Sequence, residues 1–164
     1  EAELGHVADA IPGHGENSLS GYCEKVSDPH NFLTDPKDVE LFIDRTGVDA
    51  LAVSIGTAHG VYIRRPVLDF DRLDKINKVS EVPLVLHGGS GNSDEDIRKC
   101  ISLGICKINI FSELLSSFFT SLREKLNALE NMSTWPYIVY KEPIEAMKDL
   151  VRRKIILFGS DNKA

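Results

Sequence analysis

Val82-Pro83-Leu84-Val85-Leu86-His87-Gly88-Gly89-Ser90-Gly91 decides the reading of this chain. A near-continuous apolar run suits a strand buried on both faces, as in a parallel sheet. The run ends on a histidine and a glycine-rich turn. Ser93, followed by Asp94, Glu95 and Asp96, then starts a helix. An earlier stretch has the same plan: the apolar run Val48 to Ile55 leads into Gly56-Thr57-Ala58-His59-Gly60. A third run, Ile105 to Ile110, leads into Phe111 and Ser112, and Ala2 to Leu4 is a candidate fourth.

Helical patterns fill the intervals. Thr34-Asp35-Pro36 starts a helix carrying Val39, Phe42 and Ile43, with proline near its first position. Phe70, Leu73, Ile76 and Val79 recur on the next helix, and the Ser93 helix carries Ile97, Cys100 and Ile101 before stopping at Gly104. Ser112 opens a long helix with Leu115, Phe118, Phe119, Leu122, Leu126 and Leu129 on one stripe. A last helix is predicted from around Pro143, with Ile144, Met147, Leu150 and Val151 on one face. Alternating strands and helices make βα units and a parallel α/β sheet. A dinucleotide-binding fold would want G-x-G-x-x-G directly after a strand, and the chain has none. The polar, glycine-rich segments all follow strand carboxyl ends, as in a (β/α)₈ barrel. Three strands and a candidate fourth are visible, not eight.

At 164 residues the chain has about one domain's length, with 42% apolar and 27% charged residues, as in ordinary soluble proteins. A net charge of −6 argues against nucleic acid or an anionic membrane as partner. No membrane-length apolar run and no signal peptide are visible. Cys23, Cys100 and Cys106 lack metal or redox spacing, so they read as free thiols of a reducing compartment, by default the cytoplasm. Residues 6–33 are rich in Gly, Ser, Asn and Pro, and read as one long loop of the lid type.

The chemistry centres on the two histidines. Taken singly, each is an ordinary strand-end residue. Together, on successive strands about 4.8 Å apart, they can face one metal ion. Glu3 either adds an oxygen ligand or is an exposed strand-end carboxylate. Gly88, Gly89, Ser90 and Gly91 before a helix start either cradle a phosphate or make a tight turn. Asn109 to Ser112 repeat that device. Lys107 shares a strand face with Asn109, so it is a Schiff-base candidate or one half of an ion pair. Glu16, on the loop, is either a solvated acid or a proton carrier on a closing lid.

Several strings together resemble a known family: Glu1-Ala2-Glu3-Leu4-Gly5, Leu33-Thr34-Asp35-Pro36, Gly56-Thr57-Ala58-His59-Gly60-Val61-Tyr62, Val82 to Gly91, and Lys107-Ile108-Asn109-Ile110. They are similar to the class II, zinc-dependent ketose-bisphosphate aldolases of the fructose- and tagatose-bisphosphate type. The resemblance runs almost end to end. It implies a (β/α)₈ barrel, of which residues 1–164 supply strands five to eight and the terminal helices as part of a single domain. It implies zinc on His59 and His87, with Glu3 near the metal. It places substrate phosphate and a monovalent cation, sodium or potassium, at Gly60, Gly88, Gly89 and Ser90. Substrate also lies along Asn109, Ile110, Phe111 and Ser112, and Glu16 transfers a proton. The implied reaction cleaves a ketose 1,6-bisphosphate to dihydroxyacetone phosphate and glyceraldehyde 3-phosphate, in a cytoplasmic homodimer or homotetramer.

Two departures qualify that expectation. The family's third zinc histidine and its neighbouring aspartate belong to the first half of the barrel, and no Asp-His pair occurs in this chain. The family's loop motif is matched only by Gly13-His14-Gly15-Glu16-Asn17. A parent of ordinary barrel length would place about 120 further residues ahead of Glu1. The other reading is a truncated, non-catalytic half-barrel that keeps its phosphate loops as a binding or assembly module.

Overall fold

In the computed structural model, which describes residues 1–9, 32–60 and 66–163, each apolar run becomes a short strand. The strands are β1 (Ala2–Leu4), β2 (Ala8–Asp9), β3 (Leu51–Val53), β4 (Ala58–His59), β5 (Leu84–Leu86) and β6 (Ile105–Ile108). The helices are α1 (Pro36–Thr46), α2 (Phe70–Val79), α3 (Asp94–Ser102), α4 (Ser112–Asn127) and α5 (Pro136–Leu157). Four strands form one parallel sheet in the order β1-β3-β5-β6, and β2 pairs with β4 in a separate parallel ladder. Parallel strands alternating with helices confirm the α/β reading, and the candidate strand at Ala2–Leu4 is real. The strands are shorter than the apolar runs that encode them. Ile55 lies beyond β3 yet is fully buried, so the run reflects burial rather than ladder length.

Register decides which side chains share a face. Glu3 is level with Ala52, Ala52 with Val85, and Val85 with Lys107, so these four form one row across the sheet. On the other face, Leu51, Val53, Leu84 and Leu86 are fully or almost fully buried. Val39, Leu73, Ile76, Ile97 and Cys100 of the three helices complete that core.

The helix starts at Asp35 and Ser93 follow the predicted local chemistry, and α2 adds a cap at Asp69. Asp35 caps α1 by accepting from Lys37 N–H at 3.0 Å, with Pro36 next. Asp69 caps α2 by accepting from Arg72 N–H at 2.9 Å, and Ser93 caps α3 by accepting from Asp96 N–H at 3.1 Å. Val79 is the exception on α2: it is 40% exposed, whereas Leu73 and Ile76 are fully buried. A strict three-residue spacing falls short of 3.6 residues per turn, so the fourth member drifts off the buried face.

The chain divides into two compact units, Glu1–Ile110 and Phe111–Ala164. The second is the pair α4 and α5, packed together through Val139, Pro143 and Leu150. Phe118 stacks edge-on against Phe119 at 5.4 Å, and Lys154 bridges Glu113 at 2.9 Å. The last helix corrects the sequence reading. It begins at Pro136 rather than near Pro143, because Pro136 occupies the first turn, where its missing N–H is harmless. Pro143 sits inside the helix and is buried. Among the described residues no helix is long and apolar enough to cross a membrane.

Candidate metal centre and phosphate loop

His87 is the residue directly after β5, and His59 ends β4. The sequence pattern puts His59 at the end of the run that forms β3. Instead the chain breaks at Gly56 and resumes as β4, where His59 pairs by backbone register with Asp9. The two rings still converge, with centroids 6.3 Å apart and planes tilted by 36°.

Carboxylates flank His87 on both sides. Glu3 Oε2 lies 2.5 Å from Nδ1, and Glu1 Oε1 lies 3.1 Å from Nε2. Lys107 Nζ donates to both oxygens of Glu1, at 3.1 and 2.7 Å. That hydrogen bond holds the Glu1 carboxyl below the ordinary glutamate range, against a smaller opposing effect of burial. Lys107 is therefore in the ion-paired alternative, since its ammonium is occupied by a carboxylate. The contact also describes the sheet. β1 and β6 are its opposite edges, which would lie about 14 Å apart if the sheet were flat. Glu1 and Lys107 meet across that span through their long side chains, from the same face of the sheet.

These residues have the donor types that zinc prefers, two imidazoles and a carboxylate. With Zn–N bonds of about 2.0–2.1 Å, two rings on a tetrahedral ion would have centroids about 5 Å apart. The observed spacing is wider by roughly one ångström. Glu3 is placed against His87 rather than at an exposed strand end. Among the described residues, no group of three His, Cys, Asp or Glu is arranged to hold a metal ion. His59, His87 and Glu3 thus supply donor types that suit zinc without being drawn together into a metal site.

The loop after His87 is tightly built. Gly88 has φ +64, and a Cβ there would lie 2.5 Å from the Ala58 carbonyl oxygen next to His59. At Gly89 a Cβ would meet Ile108 Cγ2 at 2.5 Å and the Asn109 oxygen at 2.9 Å. Only glycine lets this backbone press against both neighbouring strands. Gly89 N–H donates to Asn109 O at 3.1 Å, and Asn109 N–H donates to Leu86 O at 3.0 Å. The side-chain amide of Asn92 donates to Gly88 O at 2.9 Å and Gly89 O at 3.1 Å. Ser90 is buried and engaged.

Among the described residues, buried Thr57 Oγ1 and Asn92 Oδ1 find no hydrogen-bond partner. They belong to the two loops that carry the histidines. Buried polar atoms are normally satisfied, so each is a candidate contact for a ligand, ion or water.

The structure thus joins Glu3 to His87, brings His59 near it, and ties Gly89 to Asn109. Gly60 follows His59 directly, with φ +97. Phe111 and Ser112 open the second unit, Phe111 before α4 and Ser112 as its first residue. Glu16 lies outside the described residues, as does most of the 6–33 segment. At the segment's described ends, His6 N–H donates to Phe32 O at 2.9 Å, and Ala8–Asp9 is strand rather than loop. Sequence reasoning misses Glu1 as a partner of His87. The signal is present, because Glu1 and Glu3 are two apart and so share a strand face.

A model of the class II fructose-bisphosphate aldolases matches residues 1–163. The chain belongs to the class II fructose-bisphosphate aldolase family. Solved structures agree. The YdjI aldolase from Escherichia coli K12 is 43% identical with a TM-score of 0.71, over 80% of this chain and 48% of that one. A Coccidioides immitis protein assigned as a fructose-1,6-biphosphate aldolase is 27% identical with a TM-score of 0.77, over 98% of this chain and 52% of the other. Fructose-bisphosphate aldolase from Campylobacter jejuni shares the fold, with a TM-score of 0.68 at 24% identity, over 86% of this chain and 50% of that one. The chain spans about half the length of these aldolases. Its four-stranded parallel sheet is accordingly part of a (β/α)₈ barrel.

Proposed function

We propose that this aldolase-family chain carries the zinc-binding and phosphate-binding part of an enzyme that cleaves a ketose 1,6-bisphosphate, fructose or tagatose, to dihydroxyacetone phosphate and glyceraldehyde 3-phosphate. The observation that carries the reading is the convergence of His59 and His87, 6.3 Å apart, with Glu3 against His87. His59 and His87 hold the ion, and Glu3 takes a ligand or flanking position. Bound zinc supplies Lewis acidity toward the ketone oxygen of the substrate.

The chain's own groups do the rest. Gly60, Gly88, Gly89 and Ser90 receive one phosphate and a monovalent cation, and the buried oxygens of Thr57 and Asn92, without a partner among the described residues, support a polar ligand at these loops. Asn109, Ile110, Phe111 and Ser112 line the substrate on the next βα unit. Cleavage breaks C3–C4, takes the C4 hydroxyl proton and returns a proton to C3. Glu16, in the 6–33 segment, is the proton carrier. Residues 1–164 act as the carboxyl-terminal part of one barrel domain, in a cytoplasmic homodimer or homotetramer.

A second reading rests on the absence of a third metal-ligating residue among the described ones and of any Asp-His pair in the sequence. It makes the chain a phosphate-binding half-barrel without activity. Zinc titration against a chelating indicator, with a coupled assay on fructose and tagatose bisphosphates, decides between them. The aldolase reading expects zinc binding that His59→Ala and His87→Ala each weaken at least 10-fold, and turnover once the remaining half of the barrel is supplied. A chain that binds phosphate but no zinc sinks it.

A further inference from the structure

We propose that Lys107 and Glu1 are a positioning pair for His87, holding Nε2 so that Nδ1 and Glu3 are left to the metal. The inference rests on the aldolase reading for its metal but on separate residues for its argument. A ring nitrogen that does not bind metal is commonly held by a carboxylate, which fixes the tautomer and the ring plane. Glu1 stands in that place, 3.1 Å from Nε2. Glu1 is itself held, because Lys107 Nζ donates to both of its oxygens.

The fold explains why the pair can reach. Lys107 is level with Val85, and His87 lies two residues beyond Val85 on the same face. Between the edge strands that row holds Ala52 and Val85, two residues without polar side-chain groups to compete for the Lys107 ammonium. A half-exposed ion pair adds little to stability. Orientation of a ligand is the larger effect available to it. On the other side of the ring, Glu3 Oε2 and Nδ1 are both metal-donor types, and an ion bound there would replace their direct 2.5 Å contact while Glu1 keeps its place at Nε2.

The test compares Lys107→Met, Lys107→Arg and Glu1→Ala with the wild-type chain, using two readouts. The first is the zinc dissociation constant from competition with an indicator. The second is the His87 Nε2 proton resonance in the metal-free protein at neutral pH. Lys107→Met and Glu1→Ala should raise the zinc dissociation constant about 10-fold or more, with the Nε2 proton lost to solvent exchange. Lys107→Arg should restore both, and far-UV circular dichroism should be the same in all four. Unchanged zinc affinity and an unchanged Nε2 proton in Lys107→Met and Glu1→Ala overturn the proposal. So does an arginine variant as defective as the methionine one. If the wild-type chain takes up no zinc, the aldolase reading fails, and the Nε2 proton alone decides whether the pair positions His87.

Discussion

Replacing Thr34 with valine should unfasten the strand ends that carry the site. Thr34 is 1% exposed, and its hydroxyl donates to the Leu4 carbonyl while accepting from Ser54 N–H at 2.8 Å. Its backbone N–H donates to Ser54 O at 2.9 Å, and Ser54 Oγ donates to His6 O at 2.8 Å. One hydroxyl therefore joins the exit of β1 to the exit of β3. Valine has the same shape without the hydroxyl, and leaves Ser54 N–H and Leu4 C=O without that partner. Each buried group left unsatisfied costs about 1–3 kcal/mol. The added apolar surface returns less than about 1 kcal/mol. We expect a net loss of about 2–4 kcal/mol. Thr34→Ser keeps the hydroxyl and loses one methyl, for roughly 1 kcal/mol. Urea unfolding at pH 7, followed by far-UV circular dichroism, should place the valine midpoint well below the serine one. A valine variant within about 0.5 kcal/mol of wild type, the range of a neutral surface change, would refute the reasoning. So would a serine variant that is the worse of the two.

Gly47→Ala and Gly88→Ala form an informative pair, with φ of +62 and +64 respectively, but only a Cβ at Gly88 meets a backbone oxygen at 2.5 Å. Alanine at Gly47 should cost about 1–2 kcal/mol of left-handed strain, and at Gly88 clearly more, as read by urea midpoints. The Asp69 carboxyl is held below its ordinary value of 3.8: burial raises it but is outweighed by the Arg72 backbone and side-chain bonds. A depressed folded-state pKa stabilises above the ordinary value and is lost as pH falls through the lowered one. The stability advantage of wild type over Asp69→Asn should therefore be constant at neutral pH and shrink below about pH 4, measured by urea midpoints at pH 7, 4 and 3. Burial pushes the Cys100 thiol from 9.0 up to about 11, with Asp96 adding to it. A raised folded-state pKa stabilises fully below pH 9.0 and is lost as pH rises through about 11. Wild type should lose stability relative to Cys100→Ala across that interval. At neutral pH, exposed Cys106 should react with a thiol reagent while buried Cys100 stays protected until unfolding.

Much of this protein is legible in its sequence. The caps Asp35 and Ser93 are readable because a cap is a bond between residues two or three apart. The buried strands are readable because burial on both faces leaves an unbroken apolar run. The pairing of His59 with His87 follows from their like positions at strand ends. Where the pattern misleads, the cause is also local. Pro143 reads as a helix start because proline usually is one, although Pro136 already fills that place.

Tertiary structure decides what the histidines touch. His87 meets Glu3 and Glu1 across most of the first unit, and Lys107 reaches Glu1 from the opposite edge of the sheet. The break at Gly56 moves His59 into a second ladder without separating the two rings. The amino-acid order alone determines the βα alternation, the caps and the two histidines, since each depends on residues within a few positions. Only the folded chain decides that Lys107 is paired and that Glu1 stands beside His87. Those contacts depend on strand order and register, which are set by all four strands together.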